Sequence, residues 1–187
     1  LKYNYMKHYD VIISGSGIAG ISLGSIISEE RKVAIIEKEK QLSYHSTGRS
    51  FAFFIESYGN NAIIELTKIS KKFFYDNFNL FLKKKGVMFI GNNKQKTIVE
   101  DFYNEHKHKV KLELFSKNET IKLANCLNED YVNNSVIDIN ASEIDVNNLY
   151  EYYRKQYNKN DGFIFTDFNI NLVEYKNNKW ILNNEIS

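Results

Sequence analysis

Proline is absent from this 187-residue sequence, and cysteine occurs only once, as Cys126. A single cysteine excludes an internal disulfide framework and suits a reducing compartment. The sequence contains no closely spaced set of His and Cys ligands, so we expect no metal site. Asn, Lys, Ile, Tyr and Phe are used heavily instead, and we attribute the missing proline to the codon usage of an AT-rich genome.

The sequence also lacks a concentration of charge and a long hydrophobic run. The formal net charge is +2, and the densest basic clusters, residues 83–85 and 106–109, contain no interleaved aromatic residues, so we expect no nucleic-acid partner. An uncharged stretch, residues 11–27, is diluted by four glycines and four serines, which argues against a transmembrane segment. We therefore expect a cytoplasmic protein, with peripheral attachment at the inner membrane left open.

What the sequence does contain is a glycine-rich turn between two apolar runs. Residues 11–13 are apolar, Gly15-Ser16-Gly17-Ile18-Ala19-Gly20 follows, and a second apolar run at 33–36 ends at Glu37. A strand, a G-x-G-x-x-G turn, a helix and a second strand that ends on an acid are typical of a dinucleotide-binding βαβ unit. The sequence therefore predicts an α/β fold of the Rossmann type.

Each glycine of this motif has a predicted role. Gly15 permits the tight turn, and Gly17 allows the backbone to approach a pyrophosphate. Gly20 allows the following helix to pack closely on the strand. The N-terminus of that helix attracts phosphate groups, and Glu37 is expected to bond a ribose hydroxyl.

Hydrophobic periodicity predicts the remaining elements. Helices are predicted at 60–77, 97–109, 118–125 and 146–158, and strands at 86–91, 163–166, 171–176 and 180–183. Asn118 is expected to cap its helix, Gly162 to close the helix 146–158, and Asn177-Asn178 to form a hairpin turn. The apolar side of the last helix is predicted to contain Leu149, Tyr152, Tyr153 and Tyr157.

A polar loop follows Glu37 and is longer than a ribose-binding turn requires. It spans residues 38–50 and includes Ser46, Thr47 and Arg49. Its N–H groups, hydroxyls and guanidinium could contact a pyrophosphate or the edge of a flavin ring, although its composition alone favours an ordinary solvated loop. The glycine motif itself does not distinguish FAD from NAD.

The loop and the segment after it resemble a known family. Residues 44–50, Tyr-His-Ser-Thr-Gly-Arg-Ser, and residues 51–59, Phe-Ala-Phe-Phe-Ile-Glu-Ser-Tyr-Gly, resemble the signature of FAD-dependent amine oxidoreductases of the D-amino-acid oxidase and glycine oxidase superfamily. Leu66-Thr67, Asp145-Val146-Asn147 and the strand pair ending at Trp180 extend the resemblance over nearly the whole chain. It is closest to D-amino-acid dehydrogenases of the D-arginine dehydrogenase type.

The resemblance implies a fold and a division of the chain. The fold is a Rossmann-like, glutathione-reductase-like FAD-binding domain interleaved with part of a mixed-sheet substrate domain, and it is truncated, because family members are much longer. Residues 6–55 would form the FAD-binding βαβ unit and flavin loop. Residues 56–142 would form a helical and partial substrate-domain segment, and 143–187 an incomplete return to the FAD-binding domain.

Carried over position by position, the resemblance also implies FAD as the cofactor and a set of residues that contact it. They are Gly15, Gly17, Ala19 and Gly20 at the phosphates, Glu37 and Lys38 at the adenosine ribose, Ser46, Thr47, Gly48, Arg49, Ser50, Phe51, Ala52 and Phe53 along the flavin and its pyrophosphate, and Ile170 on the adenine side.

Tyr58 and Val87 are implied to line the substrate pocket. Valine cannot pair with a guanidinium or an ammonium group, so Val87 disfavours an arginine-like substrate and favours an apolar D-amino acid, or another amine or hydroxy acid. Phe53 stands where close relatives can carry an ionisable residue beside the flavin. We assign no catalytic residue, since the flavin accepts the hydride directly, and His45 is expected to bond the backbone of its loop.

The resemblance therefore predicts an enzyme: the N-terminal part of an FAD-dependent oxidoreductase that oxidises the C–H bond next to the amine of a D-amino acid or similar amine by hydride transfer to flavin. Its partners would be this small-molecule substrate and an electron acceptor, which could be oxygen, a quinone or a protein. Two alternatives stay open, namely an FAD-dependent 2-hydroxy-acid dehydrogenase and a truncated, non-catalytic dinucleotide-binding fragment.

Overall fold

The computed structural model describes residues 7–183 and Ile186. Met6, the first residue of the first predicted segment, and residues 184, 185 and 187 of the last one lie outside the described residues. Every helix in the described part of the chain is too short or too polar to cross a lipid bilayer.

The chain divides into two units. The first unit comprises residues up to Ser50 and from Val146 onward, and the second comprises Phe51–Asp145. The first unit therefore contains the glycine motif and the polar loop, together with a segment that is distant in sequence. The domain boundaries predicted after residues 55 and 142 remain predictions beside this division.

Helices and strands follow one another along the chain in a fixed order. They are β1 (Val11–Ser14), α1 (Ile18–Ile27), β2 (Val33–Ile36), β3 (Ala52–Phe54), α2 (Asn61–Asp76), α3 (Phe78–Phe81), β4 (Leu82–Lys84), β5 (Val87–Gly91), α4 (Lys96–His106), β6 (Leu112–Ser116), α5 (Lys117–Leu123), β7 (Asn134–Asp138), β8 (Ser142–Ile144), α6 (Val146–Lys159), β9 (Phe163–Phe165), β10 (Val173–Lys176) and β11 (Lys179–Leu182). Every helix and strand predicted from the sequence is confirmed, with ends that differ by a few residues. Periodicity does not predict α3, β3, β4, β6, β7 or β8.

The first unit is built around a three-stranded parallel sheet in the order β1–β2–β9. All four residues of β2 are buried, as expected for the central strand of a parallel sheet. Helix α1 packs against both β2 and α6. Gly24 allows this close approach, because a Cβ atom there would lie 2.9 Å from Ile35 Cδ1 and 3.3 Å from the Tyr157 ring.

Two tyrosines of α6 enter the core of the first unit. Tyr157 has no exposed surface, and its hydroxyl lies 2.8 Å from the carbonyl oxygen of Val33 and 3.0 Å from that of Phe163. Burial raises the pKa of Tyr157 to about 12, so the hydroxyl remains a donor at neutral pH. Tyr150 is only 5% exposed, although the prediction did not place it on the apolar side of this helix. Tyr152, which the prediction did place there, is only partly buried.

The second unit contains two three-stranded antiparallel sheets, in the orders β3–β8–β4 and β5–β7–β6. A small core cluster joins Val99 of α4, Leu112 of β6 and Val136 of β7. The strands have three to five residues, and only β7 is largely buried. Such short, half-exposed strands carry a weak hydrophobic pattern, which explains why most of them escape sequence-based prediction.

The start of α5 corrects one prediction. Ser116, not Asn118, is the N-terminal capping residue, and Asn118 lies within the first turn. The N–H and the hydroxyl of Ser116 both donate to the Glu119 carboxylate, at 2.8 and 2.6 Å. The S-x-x-E spacing of a capping box is the sequence signal that identifies this cap.

Two turns of the first unit match their predictions. After α6, the Gly162 N–H donates to the Tyr157 carbonyl at 3.0 Å, and the left-handed conformation falls on the preceding Asp161, with φ of 54°. The hairpin between β10 and β11 is confirmed. Asn177 and Asn178 have φ of 52° and 60°, the values that a two-residue type I′ turn requires.

Candidate functional site

The glycine motif borders a cleft of about 440 Å³ in the first unit. The cleft lies at the carboxyl ends of β1, β2 and β9, where open parallel sheets bind their ligands. The residues that line it are Ser14, Gly15, Gly17, Ile36, Glu37, Lys38, Ser43, Tyr44, His45, Ser46, Thr47, Phe168, Asn169 and Ile170.

The turn between β1 and α1 depends on two of its glycines. Gly15 has φ of +101°, a conformation that residues with a side chain rarely adopt, and its N–H donates to the Ile36 carbonyl at 2.7 Å. A Cβ atom on Gly20 would lie 2.0 Å from the Gly15 carbonyl oxygen and 3.3 Å from Ile13 Cγ2. The predicted close packing at Gly20 is therefore confirmed, with the carbonyl oxygen of the turn as the nearest obstacle.

A residue of the polar loop, Thr47, caps the N-terminus of α1. The Ile18 N–H donates to Thr47 Oγ1 at 3.0 Å, although the two residues are 29 positions apart. A Cβ atom on Gly17 would lie 3.2 Å from the same oxygen, so the loop and the turn are already in close contact. Thr47 thereby satisfies one of the N–H groups that a helix N-terminus leaves without an internal partner.

Glu37 is bonded to the turn itself. Its side chain is almost buried, and Oε2 accepts both the Ser16 N–H at 2.9 Å and the Ser16 hydroxyl at 2.6 Å. Oε1 accepts the Glu39 N–H at 3.0 Å and has further acceptor capacity. Burial by itself raises the pKa of Glu37, but the hydrogen bonds from Ser16 and Glu39 outweigh burial, and the net shift of the pKa is downward.

Two residues of the lining, Tyr44 and His45, contact charged side chains of the same loop. His45 Nε2 lies 2.8 Å from Glu39 Oε1. The side chain of His45 is therefore paired with a carboxylate, whereas the sequence predicted a bond to the backbone of the loop. The Arg49 guanidinium lies over the Tyr44 ring, 4.8 Å from its centroid. These contacts hold the loop in a defined conformation beside the glycine turn.

The cleft brings together part of the predicted FAD set. Seven of its members line the cleft, namely Gly15, Gly17, Glu37, Lys38, Ser46, Thr47 and Ile170. Ala19 and Gly20 lie in the first turn of α1, and Gly48, Arg49 and Ser50 lie in the loop outside the lining. Phe51, Ala52 and Phe53 belong to the second unit, as do Tyr58 and Val87. The binding roles of all these residues remain predictions.

Seven residues of the lining are not in the predicted FAD set. They are Ser14 and Ile36 at the ends of β1 and β2, Ser43, Tyr44 and His45 in the loop, and Phe168 and Asn169 after β9. The Phe168 N–H donates to the Glu37 carbonyl at 3.0 Å, which holds this segment beside β2. A usable signal was present, because residues that follow a third parallel strand are expected at the same edge of the sheet.

Asp138, a buried acidic residue of the second unit that lies beside Val87, was not identified from the sequence. It pairs across the strands with Val87, and only 1% of its surface is exposed. Its carboxylate accepts the Ser57 hydroxyl at 2.8 Å and the N–H groups of Asn140 and Ala141, both at 3.1 Å. These bonds engage both oxygens of the Asp138 carboxylate. The acid paired with Val87 therefore stabilises the turn between β7 and β8.

The lining of the cleft suits a dinucleotide. Gly17 presents no Cβ atom toward the cleft, the first turn of α1 offers N–H groups to an anion, and Lys38 carries a positive charge beside Glu37. These groups match a pyrophosphate and a ribose. Within residues 7–183 and 186, no three His, Cys, Asp or Glu side chains are grouped as ligands of a metal ion.

Residues 10–186 match the family described as FAD dependent oxidoreductase, or DAO. The fold is similar to that of L-α-glycerophosphate oxidase from Mycoplasma pneumoniae with FAD bound, with a TM-score of 0.81 and 17% identity over 96% of this chain and 51% of that one. It is also similar to glycine oxidase from Geobacillus kaustophilus (0.82, 13%, 94% and 51%) and to L-proline dehydrogenase from P. horikoshii (0.76, 15%, 97% and 50%).

These structural similarities show the fold alone, and the chain spans about half the length of the structures that it matches. The predicted fold class and the predicted cofactor are confirmed at the level of the family. The similarities do not single out the D-arginine dehydrogenase type from other members.

Proposed function

The chain belongs to the DAO family of FAD-dependent oxidoreductases, and from this premise we propose that it forms the cofactor-binding part of an enzyme that oxidises the C–H bond next to an amine. The proposed substrate is a D-amino acid or a similar amine with an apolar side chain. When bound, FAD supplies the acceptor for the hydride that leaves the substrate carbon.

The observation that carries this proposal is the cleft at the ends of the three parallel strands. We propose that the turn from Gly15 to Gly20 binds the pyrophosphate and that Glu37 and Lys38 bind the adenosine ribose through Oε1 and the ammonium group. Ile170 would then lie on the adenine side. The predicted residues from Ser46 to Phe53 would extend from the pyrophosphate toward the flavin.

Two of the similar proteins and one residue of this chain support the proposed class of substrate. Two of the similar structures are a glycine oxidase and an L-proline dehydrogenase, both of which act on amino acids by name. Val87 supports an apolar side chain, because the acid paired with it, Asp138, is buried and bonded to Ser57, Asn140 and Ala141. The D configuration rests on the sequence resemblance.

Other parts of the proposal concern the whole enzyme. We leave the catalytic residues unassigned and propose oxygen, a quinone or a protein as the electron acceptor. A cytoplasmic location is part of the proposal as well. The 2-hydroxy-acid dehydrogenase is the less favoured reading, and the non-catalytic fragment is the one that a binding experiment addresses directly.

The test is to incubate the purified 187-residue chain with FAD, remove free cofactor by desalting and record the visible absorption spectrum. We expect flavin bands to remain with the protein. Gly17→Glu, which places a carboxylate among the proposed phosphate contacts, should elute colourless with an unchanged far-UV circular dichroism spectrum.

The matched control is Leu23→Glu, which adds the same carboxylate at an exposed position of the same helix and should retain FAD. A folded wild-type chain that elutes colourless contradicts the proposed cofactor site. With the full-length protein, we expect an artificial electron acceptor to be reduced faster with apolar D-amino acids than with D-arginine, L-amino acids or 2-hydroxy acids. A preference for 2-hydroxy acids contradicts the proposed substrate class.

A further inference from the structure

We infer that Tyr150 of α6 is a positioning residue for FAD: through its hydrogen bond to Ser16, it holds the glycine turn in the conformation that binds the pyrophosphate. This inference rests on the proposed location of the FAD site. Tyr150 does not line the cleft and lies 134 positions from Ser16 in the sequence, so neither the motif nor the loop signature points to it.

Ser16 is the residue through which this effect would act. It has no exposed surface and occupies the first variable position of the G-x-G-x-x-G motif, between Gly15 and Gly17. The Ser16 carbonyl and the N–H of Gly17, a residue of the cleft lining, belong to one planar peptide group, so a partner that fixes the carbonyl also fixes the direction of that N–H. A small rotation of this residue would move both glycines of the turn at once.

Every polar atom of Ser16 has a partner, and the partners come from three other segments. Its N–H and its hydroxyl donate to Glu37 Oε2 at the end of β2, at 2.9 and 2.6 Å. Its hydroxyl oxygen also accepts the Ser43 N–H from the polar loop at 3.4 Å. Its carbonyl oxygen accepts the Tyr150 hydroxyl from α6 at 2.9 Å.

Tyr150 is suited to act as a fixed donor. Only 5% of its surface is exposed, and its ring belongs to the core cluster that also contains Ile21, Val33, Ile35 and Tyr157. Burial raises the pKa of Tyr150, so the hydroxyl keeps its proton at neutral pH. A buried carbonyl that loses such a donor gains no water in exchange, and its peptide group is then less well held.

The consequence is that the turn would be ready for the cofactor before binding. A turn held from three sides loses little conformational freedom when FAD binds, whereas a loosened turn must be ordered by the ligand at the expense of affinity. If Tyr150 has this role, removal of its hydroxyl should weaken FAD binding by more than the accompanying loss in the free energy of unfolding explains. This excess is what distinguishes a positioning residue from a residue that only packs the core.

The test compares two hydroxyl deletions with two matched controls in the full 187-residue chain. Tyr150→Phe removes the donor to the Ser16 carbonyl, and Ser16→Ala removes the hydroxyl that bonds Glu37 and Ser43. Tyr157→Phe removes an equally buried hydroxyl of the same helix, bonded to Val33 and Phe163. Ser25→Ala removes a buried serine hydroxyl bonded within α1.

The FAD dissociation constant of each variant is measured by flavin fluorescence titration, and the stability of each without FAD by urea unfolding. We expect Tyr150→Phe and Ser16→Ala each to raise the dissociation constant about five-fold, the equivalent of one hydrogen bond of about 1 kcal/mol. The two controls should stay within about two-fold of wild type, even where they lose as much stability as the test variants.

Each other outcome overturns the inference in a distinguishable way. If wild type binds FAD and Tyr150→Phe binds it equally well, Tyr150 has no positioning role and the proposed FAD site stands. If Tyr157→Phe weakens FAD binding as much as Tyr150→Phe, the effect is one of general stability. A folded wild-type chain that binds no FAD overturns the proposed site and this inference together. Should Tyr150→Phe fail to fold in buffer, the same titration of all variants is made with trimethylamine N-oxide, an osmolyte that favours the folded state, and is judged by the same criteria.

Discussion

Each of the two units contains a serine whose N–H and hydroxyl both donate to one glutamate oxygen. In the first unit Ser16 bonds Glu37 at 2.9 and 2.6 Å, and in the second Ser116 bonds Glu119 at 2.8 and 2.6 Å. Both serines stand at the start of a helix, α1 or α5. The local geometry of the two pairs is nearly the same, and their surroundings are not.

The first pair is buried and joins residues 21 positions apart, whereas the second is exposed and joins residues three positions apart. The exposed pair concerns only the beginning of its own helix. The buried pair connects the glycine turn with β2, and through Ser16 with the polar loop and α6. One hydrogen-bonding unit thus serves a local purpose in one place and organises the candidate site in the other.

The largest effect is expected from a substitution that distorts the glycine turn, because this turn contains Ser16 of the buried pair. In Gly20→Ala, the new Cβ atom would lie 2.0 Å from the Gly15 carbonyl oxygen, so we expect FAD binding to be lost and the free energy of unfolding to fall by about 3–5 kcal/mol. The control is Gly86→Ala in the second unit. Its Cβ atom has room, and the positive φ of Gly86, +74°, should lower stability by only about 1–2 kcal/mol.

Urea unfolding and FAD titration measure both effects. If Gly20→Ala is as stable as wild type and still binds FAD, the turn can shift to accept a side chain. The account of Gly20 would then have to be abandoned.

The second way to sharpen the comparison is to remove each glutamate side chain in turn. Glu37→Ala leaves the buried N–H of Ser16 and the partly buried N–H of Glu39 without an acceptor, and we expect a loss of about 2–3 kcal/mol in the free energy of unfolding together with weaker FAD binding. Glu119→Ala leaves the Ser116 N–H in contact with water, so its loss should be smaller and FAD binding unchanged. Equal losses in the two variants would show that burial does not distinguish the pairs.

The smallest expected effect is a difference in the response to acid. Burial raises the pKa of Glu37, but its hydrogen bonds outweigh burial and lower the pKa below the ordinary 4.5, while the hydroxyl and N–H of Ser116 lower that of Glu119. A carboxyl whose folded-state pKa is lowered contributes stability that is complete above the unfolded pKa and is lost as the pH falls through the folded pKa. Both glutamates therefore support stability at neutral pH and stop doing so in acid below 4.5.

Thermal unfolding midpoints from about pH 6 to about pH 3 measure this response. Wild type should lose stability toward the acid end more steeply than Glu37→Gln, and Glu119→Gln should differ from wild type less. A Glu37→Gln profile parallel to that of wild type would contradict the assignment of acid sensitivity to the buried pair.

How well the sequence predicts the two units follows from the same contrast. In the first unit β2 is an apolar run with every residue buried, and the glycine motif and the Asn177-Asn178 turn each demand one backbone conformation. Such features are local, and the sequence predicts them. In the second unit most strands are short and half-exposed, so their pattern is weak, and β3, β4, β6, β7 and β8 remain unpredicted.

The sequence by itself determined the βαβ unit, the polar loop, the family and the FAD cofactor, because each depends on residue types at fixed spacings along the chain. The S-x-x-E cap of α5 is equally local. Only the tertiary structure decided that the Glu37 carboxylate is bonded to Ser16, that Tyr150 reaches the same serine and that Asp138 is paired with Val87. The reason is that these contacts join residues 21 to 134 positions apart or on different strands, and no periodicity along the chain records which distant segments pack together.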